Sequence, residues 1–387
     1  MSACWDDSDQ YFRVKKLGEG GEGRAVLHQG RRSGFLIVVK DTISSHGTYL
    51  ANEARTLRDL PKYDRIIRTF AYYRTAPTTG KGQLFLEYCD AGDLQSVISR
   101  FISTRDHIPS AFINHVFIQL SEAVAFLHTG WDQQRRTHYD HWTAVLHRDI
   151  KPMNILLRWS GAAYPDVVLA DFGCACRERE TVELAITPGW RAPELRRRHP
   201  VTCRQNDIWS TGAVIQYLAT YHLAENSHPD LPRMYHPQLV RATELCLAND
   251  YTSRPSSMQL VRKYASHLRF HRDEAFERHP WGFMPAWAWP NGRPRSVSEI
   301  KISTVHAAPG VPIERRYHVH ISCLIMTRAM TETRRAMHRQ NLTELNASCA
   351  ARTAARAFQA QPKAFCRGTE SRGSQAVRSA SVITSDR

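Results

Sequence analysis

Asp149, Lys151 and Asn154 form the most constrained chemical pattern of this chain, within His147-Arg148-Asp149-Ile150-Lys151-Pro152-Met153-Asn154. A carboxylate that can take a proton from a hydroxyl stands five residues before an amide that can ligate Mg²⁺. The Lys between them can reach the charge on a transferring phosphate. Five fixed residue types at about 5% usage each make a chance match on the order of one in a million positions. Asp171-Phe172-Gly173 follows, seventeen residues after Asn154 and just past the apolar run Val167-Val168-Leu169-Ala170. A carboxylate at the end of a buried strand suits a second ligand to the same cation.

Upstream, Gly18-Glu19-Gly20-Gly21-Glu22-Gly23 lies between two candidate strands, Tyr11 to Leu17 and Arg24 to His28. Backbone without side chains can approach phosphate oxygens closely. A dinucleotide-binding fold would need a helix next, not a strand. Lys40 ends the strand Ile37-Val38-Val39, seventeen residues after Gly23, and can hold phosphate oxygens. Glu53, the only acid between Asp41 and Asp59, can pair with Lys40 from the next helix. Downstream, Glu194 and Arg254 can form a buried ion pair and Asp207 can hold the backbone around Asp149. Taken singly, each also reads as a surface charge.

The elements that must position these groups fall into two sets. From Tyr11 to about Tyr88 the chain reads as short strands, including Phe35 to Val39 and Leu84 to Leu86, with one helix from Leu50 to Leu60 that stops at Pro61. Asp90 to Gly92 reads as a turn. Helices then dominate: Ala111 to His128, Ile208 to Tyr221, Leu239 to Leu247 and Ser256 to Leu268. The polar stretch 129–143 has no clear period and reads as a surface insertion. Trp281 to Pro290, with three Trp and two Pro, suits irregular structure. Beyond Gln340, Ala, Arg, Ser and Thr prevail without an apolar face, which predicts disorder.

Length and composition fit this plan. The 387 residues, 42% of them hydrophobic, can bury a sizeable core. No run of 18 apolar residues occurs, so no membrane-spanning helix is expected, and the acidic start Met1 to Asp9 is not a secretory signal. Nine scattered cysteines suit reduced thiols in the cytoplasm or nucleus better than a disulfide frame. Cys174-Ala175-Cys176 lacks the partners of a metal site. The net charge is +15, and residues 271–387 hold 18 Lys and Arg against 9 Asp and Glu. Such a tail can be a solvated segment or can contact nucleic acid or acidic proteins.

In order, these motifs resemble a eukaryotic protein kinase over about residues 11 to 270. The serine/threonine branch is indicated by Lys151 two residues after Asp149 and by Thr187. Leu84-Phe85-Leu86-Glu87-Tyr88-Cys89-Asp90-Ala91-Gly92-Asp93-Leu94 resembles the hinge of NIMA-related kinases, and Gly130-Trp131-Asp132 their fungal forms. The resemblance implies an α+β, two-lobed protein-kinase fold: a β-rich N-lobe with one helix (11–86), a hinge (87–93) and a larger helical C-lobe (94–270). A short extension (1–10) precedes it and a largely disordered, low-complexity basic tail (271–387) follows. ATP and Mg²⁺ are the implied cofactors and a protein Ser/Thr hydroxyl the implied acceptor, in cell-cycle or signalling control. The competing expectation is a pseudokinase or scaffold that binds ATP without transfer.

By the same resemblance Asp149, Lys151, Asn154, Lys40 and Asp171 are catalytic, with Asn154 and Asp171 the metal ligands. Gly18, Gly20, Gly23, Ala25, Val38, Lys40, Glu53, Leu86, Glu87, Cys89 and Leu156 surround the nucleotide, Leu86 as gatekeeper and Glu87 and Cys89 through their backbone. Leu57, His147 and Phe172 belong to a hydrophobic stack between the lobes. Arg148, Thr181 and Thr187 are the regulatory candidates. Arg148 can receive a phosphate on Thr181 or pair with its acidic neighbours Glu178, Glu180 and Glu183.

Overall fold

The computed structural model describes residues 9–19, 23–42, 48–76, 81–160, 162–180, 187–226, 231, 235–269 and 284–292. The N-terminal lobe is an antiparallel sheet of β1 (Tyr11–Glu19), β2 (Gly23–Gly30), β3 (Leu36–Thr42), β4 (Thr69–Tyr73) and β5 (Gln83–Glu87), in the order β1-β2-β3-β5-β4. Helix α1 (Thr48–Asp59) turns Leu50, Ala54 and Leu57 into the core. Alternation in β3 buries Ile37 and Val39 while Val38 and Lys40 stay half-buried on the opposite face. In register, Lys40 lies between Ala25 and Leu84, and Val38 beside Leu86. The residues meant for the nucleotide thus share one face of the sheet.

After β5, the hinge leads through β6 (Gly92–Asp93) into α2 (Leu94–Thr104). Helix α2 was not among the helices expected from the sequence. Its signals are an Asp93 cap, which accepts from the Ser96 N–H at 2.8 Å, and buried Leu94, Val97, Ile98 and Phe101. Helix α3 (Ser110–Thr129) is the spine of the C-terminal lobe. It is long and apolar enough to cross a membrane, yet 94% of its apolar window is buried inside the domain, and no other helix among the described residues shares that character. Against it pack α4 (Arg204–Thr220) and a last helix over 257–269, which begins as α6 (Ser257–Gln259) and has a π-helical stretch at Leu260–Ala265, while α5 (Pro237–Cys246) packs on these two.

The stretch expected as a surface insertion is a small ribbon, β7 (Trp131–Asp132) paired with β8 (Thr137–His138), anchored to the core. Asp132 accepts from the Gln134 and Arg135 N–H groups at 2.9 Å each, which fixes the turn. Trp142 packs on Phe126 and donates its indole N–H to the Leu127 carbonyl at 3.0 Å. Gly130 ends α3 at φ 69°, and a Cβ there would come within 2.6 Å of the Trp142 ring. Glycine therefore permits both the left-handed cap and the Trp seat.

The catalytic segment follows β9 (Val145–Leu146) and runs into β10 (Ile155–Arg158), which pairs with β11 (Asp166–Leu169) and β6. Beyond β11 comes β12 (Cys176–Arg177), paired with β9. The α1–β4 connection is fastened to this part of the C-terminal lobe. Ile67 N–H donates to the Leu169 carbonyl and Leu169 N–H to the Arg65 carbonyl, at 2.9 and 2.8 Å. Arg65 also forms ion pairs with Glu122 of α3 and Asp166.

The expected boundary at residue 270 needs correction. Met284–Gly292 lies on the domain, with Ala288 and Trp289 buried and Trp289 edge-on to Phe112 and Trp159. The Trp289 indole carries more apolar area than a solvated tail leaves exposed. The remainder of the expected tail, and the extension up to residue 8, lie outside the described residues.

Candidate active site

Lys40 is the electrostatic centre. Its Nζ lies 2.7 Å from Glu53 Oε2 and 2.8 Å from Asp171 Oδ1. Burial alone would lower the Lys40 pKa, but the two carboxylates overcome it and hold the ammonium above its ordinary value. Burial alone would also raise Asp171, and Lys40 overcomes that, leaving its carboxyl below the usual range. Glu53 is pushed up by burial against the pull of Lys40. Its other oxygen accepts from the Phe172 N–H at 3.3 Å. Asn52, which sequence reasoning missed, ties the same helix to the same loop by donating to the Gly173 and Ala175 carbonyls at 2.9 and 2.7 Å. Its signal is a polar residue beside Glu53 on the buried side of α1.

Asp149 sits at the far side of the cleft. Its Oδ2 is 2.7 Å from Lys151 Nζ and accepts from Asn154 Nδ2 at 2.9 Å. Its Oδ1 accepts from the Thr187 hydroxyl at 2.7 Å, and Lys151 donates to that hydroxyl at 2.7 Å. A short 3₁₀ turn, Pro152–Asn154, folds the five-residue spacing so that the Asn154 amide meets Asp149. Asn154 Nδ2 also donates to the Asp149 carbonyl at 2.8 Å.

The catalytic segment is held open by Asp207, buried at the start of α4. Its carboxylate accepts from the His147 and Arg148 N–H groups at 2.9 Å each, and its Oδ2 is 3.0 Å from His128 Nε2. Burial would raise its pKa, but the His128 contact and the backbone donors bring it below the ordinary value. These bonds hold Arg148 at φ 68°, in the left-handed region. Asp171 is also left-handed, at φ 65°. Such residues cost about 1–3 kcal/mol each and persist only where their surroundings fix them. The His147 ring packs edge-on against Phe172 and its Nε2 lies 3.0 Å from the Ala170 carbonyl. Glu194 and Arg254 form a bidentate, fully buried ion pair at 2.7 and 2.8 Å.

A cleft of about 450 Å³ joins these groups to the hinge. It is lined by Gly18, Ala25, Val38 and Lys40 from the sheet, by Glu53, by Leu86, Glu87 and Cys89 at the hinge, and by Asn154, Leu156 and Asp171 below. Gly23 stands apart: a Cβ there would meet the Asp41 carbonyl oxygen at 2.6 Å, so it serves strand packing. The Glu87 carboxylate is engaged with Arg158 at 2.7 Å and with the Arg68 N–H at 2.9 Å, and the Glu87 N–H donates to the Arg68 carbonyl at 2.9 Å. Gly20 lies outside the described residues, as do Thr181 and Glu183. The acidic pairing expected for Arg148 is not what the other two acids do. Glu178 binds Arg204 at 2.8 Å, Glu180 lies 3.6 Å from Arg55, and Arg148 donates to the Cys174 carbonyl at 3.2 Å. Arg204 of α4 and Arg55 of α1 reach these acids instead.

The donor set suits a hard divalent cation. Asn154 commits its amide nitrogen to Asp149, so its oxygen is the group left for a cation, and Asp171 has a second carboxylate oxygen besides the one on Lys40. Among the described residues, no cluster of three or more His, Cys, Asp or Glu forms a separate metal site.

Comparison with known proteins agrees with this geometry. The family model described as "Protein kinase domain" matches residues 11–243. Mitogen-activated protein kinase kinase kinase A of Dictyostelium discoideum is 27% identical over 276 residues, 64% of this chain and 26% of that protein. Serine/threonine-protein kinase Nek2 of Homo sapiens is 30% identical over 225 residues, 54% and 46% of the two chains. G2-specific protein kinase fin1 of Schizosaccharomyces pombe is 27% identical over 285 residues, 66% and 38%. This chain spans less than half the length of each of the three. The resemblance drawn from the hinge is thus met by relatives of the Nek type, beside kinases of the mitogen-activated cascade.

Proposed function

The chain belongs to the protein kinase family, and we propose that it is a serine/threonine kinase moving the γ-phosphate of ATP to a protein hydroxyl. One observation carries this reading: Lys40 is paired at once with Glu53 and Asp171, while Asp149 holds both Lys151 and Asn154, and Asn154 lines the same cleft as Lys40 and Asp171. A scaffold that only binds nucleotide has no need of the second set.

In this reading the base lies between Ala25 and Val38 above and Leu156 below, against the backbone of Glu87 and Cys89. Lys40 steadies the phosphate chain, and Glu53 keeps Lys40 from swinging away. Asn154 and Asp171 would hold Mg²⁺, which would neutralise charge on the phosphates. Asp149 Oδ1, where the Thr187 hydroxyl now donates, is the atom that takes the substrate proton. Thr187 marks the place a substrate hydroxyl occupies and, with Lys151, fixes the carboxylate's direction. Most of the rate enhancement then comes from positioning and charge neutralisation. Control of the cell cycle or of signalling rests on likeness to the Nek and mitogen-activated relatives. A cytoplasmic or nuclear location rests on the scattered cysteines, of which Cys89, Cys176, Cys203 and Cys246 are free thiols.

The test is phosphate transfer from radiolabelled ATP to a generic basic protein by the full chain and by Asp149→Asn. The variant should lose turnover by at least a thousandfold and bind MgADP as the parent does. Transfer at the parental rate by the variant overturns the assignment.

A further inference from the structure

Met284–Gly292 follows the kinase motifs in sequence and has no place in the reading above. It nevertheless forms part of the nucleotide cleft, whose hinge-side mouth is walled by Pro290 and Asn291. The segment is fixed by more than surface contact. Trp289 is buried between Phe112 and Trp159. Trp287 packs on Phe101 with ring centres 4.8 Å apart. Arg100 of α2 donates to the Trp287 carbonyl at 2.9 Å. Gly92, at φ 86°, has Pro290 Cγ 3.0 Å from where a Cβ would stand, so the hinge backbone is shaped to admit the segment.

Asn291 is the residue that these anchors deliver. Its Nδ2 donates to the Asp90 carbonyl at 3.0 Å and to the Tyr88 hydroxyl at 3.3 Å. Its Oδ1 accepts from Lys15 Nζ of β1 at 3.4 Å. One amide therefore bridges the hinge and the outermost strand of the upper lobe, across the mouth of the cleft. Strand β1 is otherwise the most exposed of its sheet, with Phe12, Val14 and Leu17 open to solvent.

We infer that Asn291 is a nucleotide-positioning residue. By tying β1 to the hinge it fixes the height of the roof over the base, and the segment Met284–Gly292 is a built wall of the ATP site. The inference rests on the nucleotide reading above but concerns a different part of the chain. Loss of the bridge lets β1 lift, which weakens the hold on the bound nucleotide and leaves Asp149, Lys151 and Asn154 untouched.

The test compares the full chain with Asn291→Ala, and with Trp289→Ala as a second route to the same loss. The expected result is a five- to tenfold rise in KM for ATP in Asn291→Ala, kcat at saturating ATP within twofold, and an unchanged KM for the protein substrate. MgADP affinity by calorimetry should fall by the same factor. Hydrogen exchange of the nucleotide-free chain should quicken at 11–19 and 88–92. An unchanged KM for ATP together with unchanged exchange in Asn291→Ala overturns the inference, whatever Trp289→Ala does to folding. A parent that binds MgADP but transfers no phosphate removes the proposed function alone, and the MgADP affinities then decide this inference. A parent that binds no MgADP overturns both.

Discussion

Replacing Asp207 with Asn removes a charge and one acceptor without changing the volume of the side chain. The best placement of the new amide keeps its oxygen where Oδ2 serves the His147 N–H and the His128 ring. Its NH₂ then faces the Arg148 N–H, which loses its 2.9 Å acceptor. A buried donor without a partner costs about 1–3 kcal/mol. Arg148 is also the residue held at φ 68°, and a left-handed non-glycine backbone is worth about 1 kcal/mol of relaxation when released. That relaxation works against the lost hydrogen bond, so the net loss is up to about 2 kcal/mol of stability, read as a fall in the urea midpoint at unchanged m-value. Asp149 follows Arg148 directly, so relaxation there shifts the carboxylate. A displacement of about 1 Å can cost roughly a hundredfold in rate. Lys40 and Asp171 are not touched, and KM for ATP should stay within about threefold on that account. Steady-state kinetics at 15 °C, where the variant remains folded, separates the two effects. A stability loss above about 3 kcal/mol, or a gain, would refute the energetic reasoning. A full loss with parental kcat would show that Asp207 serves folding alone.

Other outcomes follow from the same contacts. Arg254→Met strands the Glu194 carboxylate in the core, and removing one partner of a buried pair should cost about 3–5 kcal/mol by urea denaturation; replacing Glu194 with Leu as well should restore part of it. Asp171 and Asp207 both titrate below the ordinary carboxylate range. A depressed folded-state value means that their stabilisation is present above the unfolded value of about 3.9 and is lost as the pH falls through the folded ones. The urea midpoint of the parent should therefore drop below about pH 4, and the penalty of Asp207→Asn should shrink over that window. Gly130→Ala forces a Cβ at positive φ into the Trp142 ring and should cost about 1–3 kcal/mol, with kcat unchanged in the fraction that stays folded.

The catalytic groups were legible because their chemistry is local. A carboxylate and an amide five residues apart meet through one 3₁₀ turn, and Lys40 falls on the cleft face of β3 by strand alternation alone. The pairing of Lys40 with Glu53 was readable too, since Glu53 is the only acid between Asp41 and Asp59. Three features were not. Helix α2 begins at a cap that also reads as the end of a turn, so its apolar periodicity was hidden behind Asp90 to Gly92. His128 enters the site through a contact with Asp207 across 79 positions, for which sequence holds no local signal. Trp287 and Trp289 stand two apart but extend no period of 2 or 3.6, because Trp289 is buried against Phe112 while Trp287 lies exposed on Phe101, and neither belongs to an amphipathic element. Irregular chain anchored by single aromatics resembles linker until its seats are known.

The fastening of the α1–β4 connection has a mechanical consequence. Arg65 and Ile67 belong to the upper lobe by sequence but are bonded to β11 and α3 below. The C-terminal end of α1 is therefore a fulcrum, and the helix behaves as a lever loaded at the other end. Glu53 sits partway along that lever. Any swing that withdraws it from Lys40 must sweep the N-terminal turns through a longer arc than Glu53 itself. A ligand pushing on those turns would gain leverage over the Lys40 contact, whereas the same push near Leu60 would meet the pivot and do almost no work.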